Sequence, residues 1–538
     1  MLASWRTGRS WWMSLAVVGI LASLLVPVAS HASPAPVSEG VACNSNQTSS
    51  FLLTAQTGYI STPDGNSLFM WGYGLGNKSF QYVGPTLCVN EGDSVTITLK
   101  DGLPVPTSLN FPGLTQVRAN GVAASYDAGT SSLTTAAQPG GAVTYTFVAD
   151  HPGTFLYESG TNPQLQVLMG MVGALIVRPT HVSAAYCDGL TPATSPKAPP
   201  TTVAYMYDAC STAYSPNHEF MHLLTEIDPH MHHAIELATC QSLLQASNTG
   251  GALTQPDANG LMTWTPAGAL APTMTCTPAT FADPNLLTVY DMTTYRPRYW
   301  MINGRSFPDT LTPNFSTSVP TQPYGALVHI LPTCPAPMSF QGSTTAQCPN
   351  SNPTLDGGAP NPDYNPLPSV VRFLNGAPVA YPFHPHGDHD SQIGLDGRVL
   401  INPHGSSSGM PADTSVDRFD VVVPPGQTID VTFGWVDAQQ WDPNSNPIGV
   451  AQPQQQNLIN GPYWSGSAYL GQKLPLLSGI TQWNQCGEYY HFAHSHALFQ
   501  VTNYGAPGGG MLTFIRVDPP PSLQTRYGTS CDGGLGYR

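Results

Sequence analysis

The chain has 538 residues, enough for two to four domains, and sets 32 acidic side chains against 17 basic ones for a formal net charge of -15. That balance offers no phosphate-binding stripe and excludes nucleic acid as a natural partner. With only 9% of residues charged and with 52 glycines and 53 prolines, a mainly helical chain is also excluded, and short strands joined by turns are favoured.

Residues 1–32 have the layout of an export signal. Arg6 and Arg9 precede an apolar run from Trp11 to Val28, and Ser30-His31-Ala32 supplies small residues for cleavage. Retained, the run is just long enough to span a bilayer. Cleaved, it leaves a chain with no other membrane-length apolar segment. The expected location is secreted or periplasmic, where the ten cysteines form disulfides. Cys334 and Cys348 flank a short polar loop and are the preferred pair, with Cys240–Cys276 as a second choice. No CxxC occurs, so neither a zinc ribbon nor a thioredoxin-type site is supported.

Residues 33–180 read as a first β-sandwich. Ser94 to Leu99 and Ala142 to Phe147 alternate polar with apolar, as half-buried strands do, and Val172 to Val177 is a buried apolar run. Residues 181–297 combine cysteines, a His cluster and polar low-complexity stretches, and are expected to form a loop-rich connector. A second sandwich is expected over 298–518, with strands at Arg298–Gly304, Ala326–Ile330, Val370–Leu374, Asp420–Val423, Thr428–Phe433, Tyr489–Ala493 and Met511–Val517. Polar stretches at 334–366 and 436–485 interrupt it, and 519–538 is a tail. The two halves share Pro-Gly turns (Pro152-Gly153, Pro425-Gly426) and Gly-Met elements (Gly170-Met171, Gly510-Met511), the mark of a duplicated domain. The fold class is therefore all-β, two Greek-key sandwiches joined by a connector.

The second half carries His384-Pro385-His386 and, about 110 residues later, His494-Ser495-His496. In a strand, residues i and i+2 share a face, so each pair offers two imidazoles side by side. Imidazole suits copper, zinc, iron or nickel. His384, His386, His494 and His496 are the candidate ligands. Asp388, Asp390 and Glu488 stand close enough in sequence to orient them, and His389 and His491 are weaker candidate ligands.

The phrases YPFHPHG (381–387) and GEYYHFAHSH (487–496) resemble the third and fourth His-x-His motifs of the multicopper oxidases, which hold a trinuclear copper cluster between cupredoxin domains. RYWMINGRSFP (298–308) and LTEIDP (224–229) resemble segments of the same family. The resemblance implies two cupredoxin-like sandwiches, a copper cofactor, and oxidation of phenols or metal ions as the substrate class. Zinc is not excluded as the ion. The departures are equally plain. Asn110-Phe111-Pro112-Gly113 stands where the first motif belongs, and Tyr157-Glu158-Ser159-Gly160 where the second belongs. Ser495 occupies the place of the cysteine that a type 1 copper requires. Half of the trinuclear ligands are thus missing, and Glu158 is a candidate to cap the face they leave. The alternative is a non-catalytic cupredoxin scaffold for extracellular binding or assembly. The sequence is silent on oligomeric state.

Two further His groups need placing. HEFMH at His218–His222 fits the zinc-protease pattern HExxH, but Met221, Leu223 and Ile227 alternate as in a strand, and the chemistry needs a helix. His230, His232 and His233 with Met231 follow Asp228-Pro229 and read as a solvated turn, with a soft metal site as the alternative. His151, His181, His329 and His404 are isolated and expected to be structural.

Overall fold

The structure is a computed structural model that describes residues 40–43, 49–182, 203–216, 218–247, 252–253, 262–265, 274–276, 290–330, 367–386, 390–401, 414–433 and 489–517. The proposed signal at 1–32, the polar stretches 334–366 and 436–485, the pair Cys334–Cys348, and His404 lie outside these residues.

The first half forms β1 (Ser50–Ser61), β2 (Ser67–Leu75), β3 (Leu87–Asn90), β4 (Ser94–Asp101), β5 (Arg118–Ala119), β6 (Val122–Ala123), β7 (Ala142–Val148), β8 (Gly153–Glu158), a short helix α1 (Pro163–Gln166) and β9 (Val172–Arg178). A six-stranded sheet in the order β2-β1-β4-β7-β5-β6 faces a three-stranded sheet β3-β9-β8. β4 alternates buried and exposed residues along its length, as its sequence requires. Between the sheets, Leu53, Phe69, Ile97 and Tyr145 pack with Leu87, Phe155, Tyr157 and Leu175. The strands expected from alternation are present.

The middle of the chain adds β10 (Ala204–Tyr205), β11 (Ala213–Tyr214), β12 (Glu219–Ile227), α2 (Pro229–Ser247), β13 (Ala252–Leu253), β14 (Met262–Thr265) and β15 (Met274–Cys276). The second half adds β16 (Tyr299–Ile302), β17 (Val328–Ile330), β18 (Ser369–Asn375), β19 (Tyr381–Pro385), β20 (Asp390–Leu395), β21 (Arg398–Val399), β22 (Val416–Arg418), β23 (Val421–Val423), β24 (Thr428–Phe433), β25 (Tyr489–Ser495), β26 (Thr502–Asn503), β27 (Ala506–Pro507) and β28 (Leu512–Val517). A nine-stranded sheet, β21-β20-β24-β18-β12-β16-β26-β27 with β22 beside β20, faces a five-stranded sheet β17-β28-β25-β19-β23. Among the described residues the chain is all-β apart from α1, α2 and a few 3-10 turns, arranged as two sandwiches.

The expectation that loops dominate 181–297 is corrected by two elements. β12 lies inside the nine-stranded sheet, parallel to β18 and antiparallel to β16. All nine of its residues are buried, so both of its faces are covered. Phe220 and Leu224 enter the second core, while Met221, Leu223 and Ile227 face the first sandwich. There they meet Leu156, Val172 and Ala174 of β8 and β9. α2 replaces the solvated turn expected after Asp228-Pro229. The Asp228 carboxylate accepts from the His230 amide at 2.9 Å, and Pro229 at the first helical position is already set for helical φ. What reads as a stop is an N-cap.

The sandwiches are also joined by charge. Arg372 on β18 is fully buried. Its guanidinium donates to Glu219 of β12 at 2.7 Å and to the Thr154 hydroxyl of β8 at 2.8 Å, and it lies 3.7 Å from Asp430 of β24. Arg178 of β9 reaches the other Glu219 oxygen at 2.6 Å. The backbones approach closely beside this cluster. A Cβ at Gly153 would lie 2.6 Å from the Gly397 Cα, so neither position admits a side chain without a shift. One disulfide, Cys43–Cys88, ties the start of the described chain to β3. Cys210 is also disulfide-bonded, and among the described residues no cysteine is free. The side chains of Cys240 and Cys276 lie outside the description.

Removing one partner from a buried, paired charge strands the other. Arg372→Ala is expected to lower the unfolding free energy by about 3–5 kcal/mol, measured by chemical denaturation. Glu219→Gln tests the pH sign. Burial alone would raise the Glu219 carboxyl, but the Arg372 and Arg178 guanidiniums outweigh it and hold it below the ordinary carboxylate range. Its contribution is therefore present above the unfolded value of about 4.3 and is lost as pH falls below it. The stability gap between wild type and Glu219→Gln should narrow below about pH 4. A gap that widens there contradicts the pairing.

Candidate metal centre

β19 and β25 are antiparallel neighbours, with His384 directly opposite His494. The pairing continues past both strand ends: the His386 amide donates to Phe492 O and the His496 amide to Pro382 O, each at 2.7 Å. Because side chains alternate, His384, His386, His494 and His496 share one face of the sheet. Their ring centroids lie 4.9 Å (384–386), 5.0 Å (384–496), 5.1 Å (386–494), 5.9 Å (384–494) and 6.1 Å (494–496) apart. The four imidazoles form one cluster.

The hydrogen bonds fix several tautomers. His384 Nδ1 lies 2.7 Å from Phe419 O and 3.1 Å from Asp420 Oδ1, so it carries the proton and leaves Nε2 as a free lone pair. His494 Nδ1 donates to Ser495 O at 2.8 Å. Its Nε2 is then an acceptor, and His386 Nε2, 3.0 Å away, must donate to it. Burial pushes the His386 imidazole down to about 4, helped by the charges His494, His384 and His496 would carry if protonated. Burial lowers His494 as well. Neutral imidazole is the form that binds metal.

These rings form an imidazole cluster rather than a finished coordination sphere. Among the described residues no group of three or more His, Cys, Asp or Glu side chains is placed so that it could hold a metal ion as it stands. The 386–494 nitrogens are joined by a hydrogen bond, and two nitrogens on one tetrahedral ion at about 2.0 Å would sit about 3.3 Å apart. The donor set nevertheless fits copper by chemistry: clustered imidazoles, one of them oriented by a carbonyl and a carboxylate.

The other candidates fall as follows. Asp390 is buried in the nine-stranded sheet opposite Arg418, away from the sheet that carries the imidazoles. His491 is buried on β25, and three residues from His494 its parity places it on the opposite face. Burial pushes it down to about 4, with His386 adding to the effect. Asp388, His389 and Glu488 lie outside the described residues. The carboxylate that does approach, Asp420, escapes sequence reading. It lies 34 or more residues from the pairs and becomes a neighbour only through the β19–β23 pairing that sets Phe383 against Val421.

The first sandwich repeats this geometry with different side chains. Asn110 pairs antiparallel with Glu158, with backbone bonds of 2.7 and 3.0 Å, as His384 pairs with His494. The Ser159 amide donates to Met171 O at 3.0 Å, and the Ser495 amide to Met511 O at 3.1 Å. Ser159 Oγ donates to Gln166, as Ser495 Oγ donates to Gln500. The equivalence supports reading Asn110, Pro112, Glu158 and Gly160 as the substituted positions. Around them Ser108, Ser132, Ser159, Thr161 and Gln166 are buried and satisfy one another. Ser495 is likewise fully buried and engaged. No thiolate stands at that position.

The HEFMH motif lies on a strand. At about 3.3 Å per residue, His218 and His222 are about 13 Å apart along the chain and cannot share an ion. Glu219 is held by two arginines. His222 is buried, donates from Nε2 to Ala326 O at 3.0 Å, and packs between Phe373 and Phe383. His232, on α2, is buried between Phe69 O at 2.6 Å and Leu168 O at 3.1 Å. It is a structural residue, while His233 contacts Glu236 at the surface. His151 sits beside Asp150 and packs edge-on to Phe155, and His329 stacks on Phe220.

His222→Ala should cost about 2–5 kcal/mol of stability by opening a cavity between Phe373 and Phe383. A loss under about 0.5 kcal/mol, the size of a surface effect, contradicts the packing role.

Residues 73–182 match the family model described as multicopper oxidase. Laccase abr2 of Aspergillus fumigatus is 34% identical over 102 residues, 18% of this chain and 16% of that protein; the chain thus matches about a sixth of the curated relative's length. Among solved structures, the blue copper oxidase from Nitrosomonas europaea is 16% identical at a TM-score of 0.43, covering 87% of this chain and 85% of that one. The copper nitrite reductase from Nitrosomonas europaea is 13% identical at a TM-score of 0.41, covering 87% and 93%. Over residues 73–182, in its first sandwich, the chain is similar to the multicopper oxidases.

Proposed function

We propose that the chain is an exported, multicopper-oxidase-like protein that binds one copper ion through the imidazole cluster of its second sandwich. The observation that carries this reading is the convergence of His384, His386, His494 and His496 at the joined ends of β19 and β25. Copper held by imidazole exchanges one electron at a time. The protein's own part is positional. Phe419 O and Asp420 hold His384 by Nδ1, and breaking the His386–His494 hydrogen bond frees the His494 Nε2 lone pair, with His386 Nε2 following once its proton moves to Nδ1. Phenols or metal ions are the proposed substrate class, by family likeness.

Export is proposed from the segment at 1–32 and is supported by the Cys43–Cys88 and Cys210 disulfides, which belong to an oxidising compartment. Among the described residues no helix is long and apolar enough to cross a membrane.

A second reading, a non-catalytic cupredoxin scaffold, is favoured by one observation: the hydroxyl network at the substituted first-sandwich positions leaves no ligand there. Oxygen consumption with a phenolic donor separates the two. Turnover that disappears in His494→Ala/His496→Ala supports the oxidoreductase, and copper uptake without turnover supports the scaffold.

Metal analysis of the full chain after copper loading should give near one equivalent, and less than about 0.2 in His494→Ala/His496→Ala. Wild type below that level overturns the site. Asp420→Asn should weaken copper binding about 10–100-fold while changing stability by less than about 1 kcal/mol, since the residue is partly exposed. Unchanged affinity removes Asp420 from the site.

A further inference from the structure

A cavity of about 340 Å³ opens on the seam between the two sandwiches, within the size range of small-molecule sites. Its first-sandwich wall is Glu158, Val167 and Leu168; Met292 lies on the segment leading to β16, and Ala377 and Pro378 close the second-sandwich side. Apart from Glu158 these are apolar, and Gln164, Tyr295 and Asn375 add polar groups to the wall. No lysine, arginine or histidine is among the lining residues.

The polar groups in the wall differ in what they have left to offer. The Asn375 side chain is fully engaged: its Nδ2 donates to Val379 O and Val423 O, and its Oδ1 accepts from Ala377 N. The Glu158 carboxyl accepts from the Asn110 side chain, and burial raises it above the ordinary range; no basic residue shares the lining with it. A carboxyl in an apolar recess with no cationic partner is under-compensated. A ligand that brings a positive charge with an apolar body meets both needs, and the chain's formal charge of -15 favours the approach of cations.

We propose that this cavity binds a small organic ammonium, an aromatic or branched-alkyl group of single-ring size bearing one protonated amine, with the ammonium on Glu158 and the apolar body between Val167, Leu168, Met292 and Pro378. Binding forms an ion pair and breaks no covalent bond. Because both sandwiches contribute to the wall, occupancy also clamps the seam. The site is independent of the imidazole cluster and stands whether or not copper binds.

Benzylammonium and its neutral counterpart benzyl alcohol are suitable probes, titrated calorimetrically into the full chain. Benzylammonium should bind more tightly than benzyl alcohol and raise the unfolding midpoint. Glu158→Gln should weaken benzylammonium at least tenfold and leave benzyl alcohol within about twofold, a split that a merely structural role for Glu158 would not produce. Val167→Trp, which fills the recess from a half-buried position, should abolish both; circular dichroism establishes that each variant is folded. The proposal is overturned if benzylammonium does not bind, if it binds no better than the alcohol, or if Glu158→Gln leaves its affinity unchanged.

Discussion

A guanidinium that water does not reach joins the two sandwiches. Arg372 sits on a central strand of the second sandwich, pairs with Glu219 on the next strand, and reaches across to the Thr154 hydroxyl of the first. Thr154 in turn donates to Asp430 at 2.7 Å, and Tyr207 donates to the other Asp430 oxygen at 2.6 Å. With Arg178 on Glu219, two cations face two acids in a closed arrangement. Such a cluster adds little net stability over an apolar substitute, but it tolerates no missing member. It therefore fixes the register between the sandwiches more than it glues them. The apolar seam of Leu156, Val172 and Ala174 against Met221, Leu223 and Leu374 supplies the burial.

That register shapes everything downstream. β18 runs directly into the turn before β19, so the strand that carries Arg372 also sets where His384 and His386 emerge. β24, which carries Asp430, follows β23, and the residues just before β23 hold His384 by its Nδ1. The ion cluster and the imidazole cluster are thus linked by short covalent paths. The seam cavity lies on the same boundary, where Glu158 at the end of β8 faces Ala377 and Pro378. In the first sandwich the strand ends that would hold ligands are filled with hydroxyls that bond to one another. The same scaffold carries clustered imidazoles at the strand ends of one sandwich and hydroxyls at those of the other.

Much of the fold is legible in the sequence because alternation reports half-buried strands directly. β4 and β7 are found for that reason, each running one or two residues beyond the alternating stretch. β12 shows the limit: buried on both faces, its apolar residues serve two cores, and within a segment rich in polar stretches nothing marks it as central. The ion pair that Glu219 makes depends on Arg372, 153 residues away, and no local pattern reveals it. The reading of a solvated turn after Asp228-Pro229 fails because an aspartate before a proline serves a helix start as well as a turn. In the candidate site the His-x-His spacing carries the signal, since a period of two places both rings on one face. Asp420 and Phe419 remain hidden because they meet His384 only through strand pairing.

The central claim is that the imidazoles of two paired strands share one ion without sulfur. X-ray absorption spectroscopy at the copper edge of the loaded protein tests this most directly, since imidazole rings give distinctive multiple scattering and a thiolate gives a heavier, separate shell. Three or four imidazoles with no sulfur is the outcome this account requires. A sulfur ligand, or fewer than two imidazoles, would contradict it.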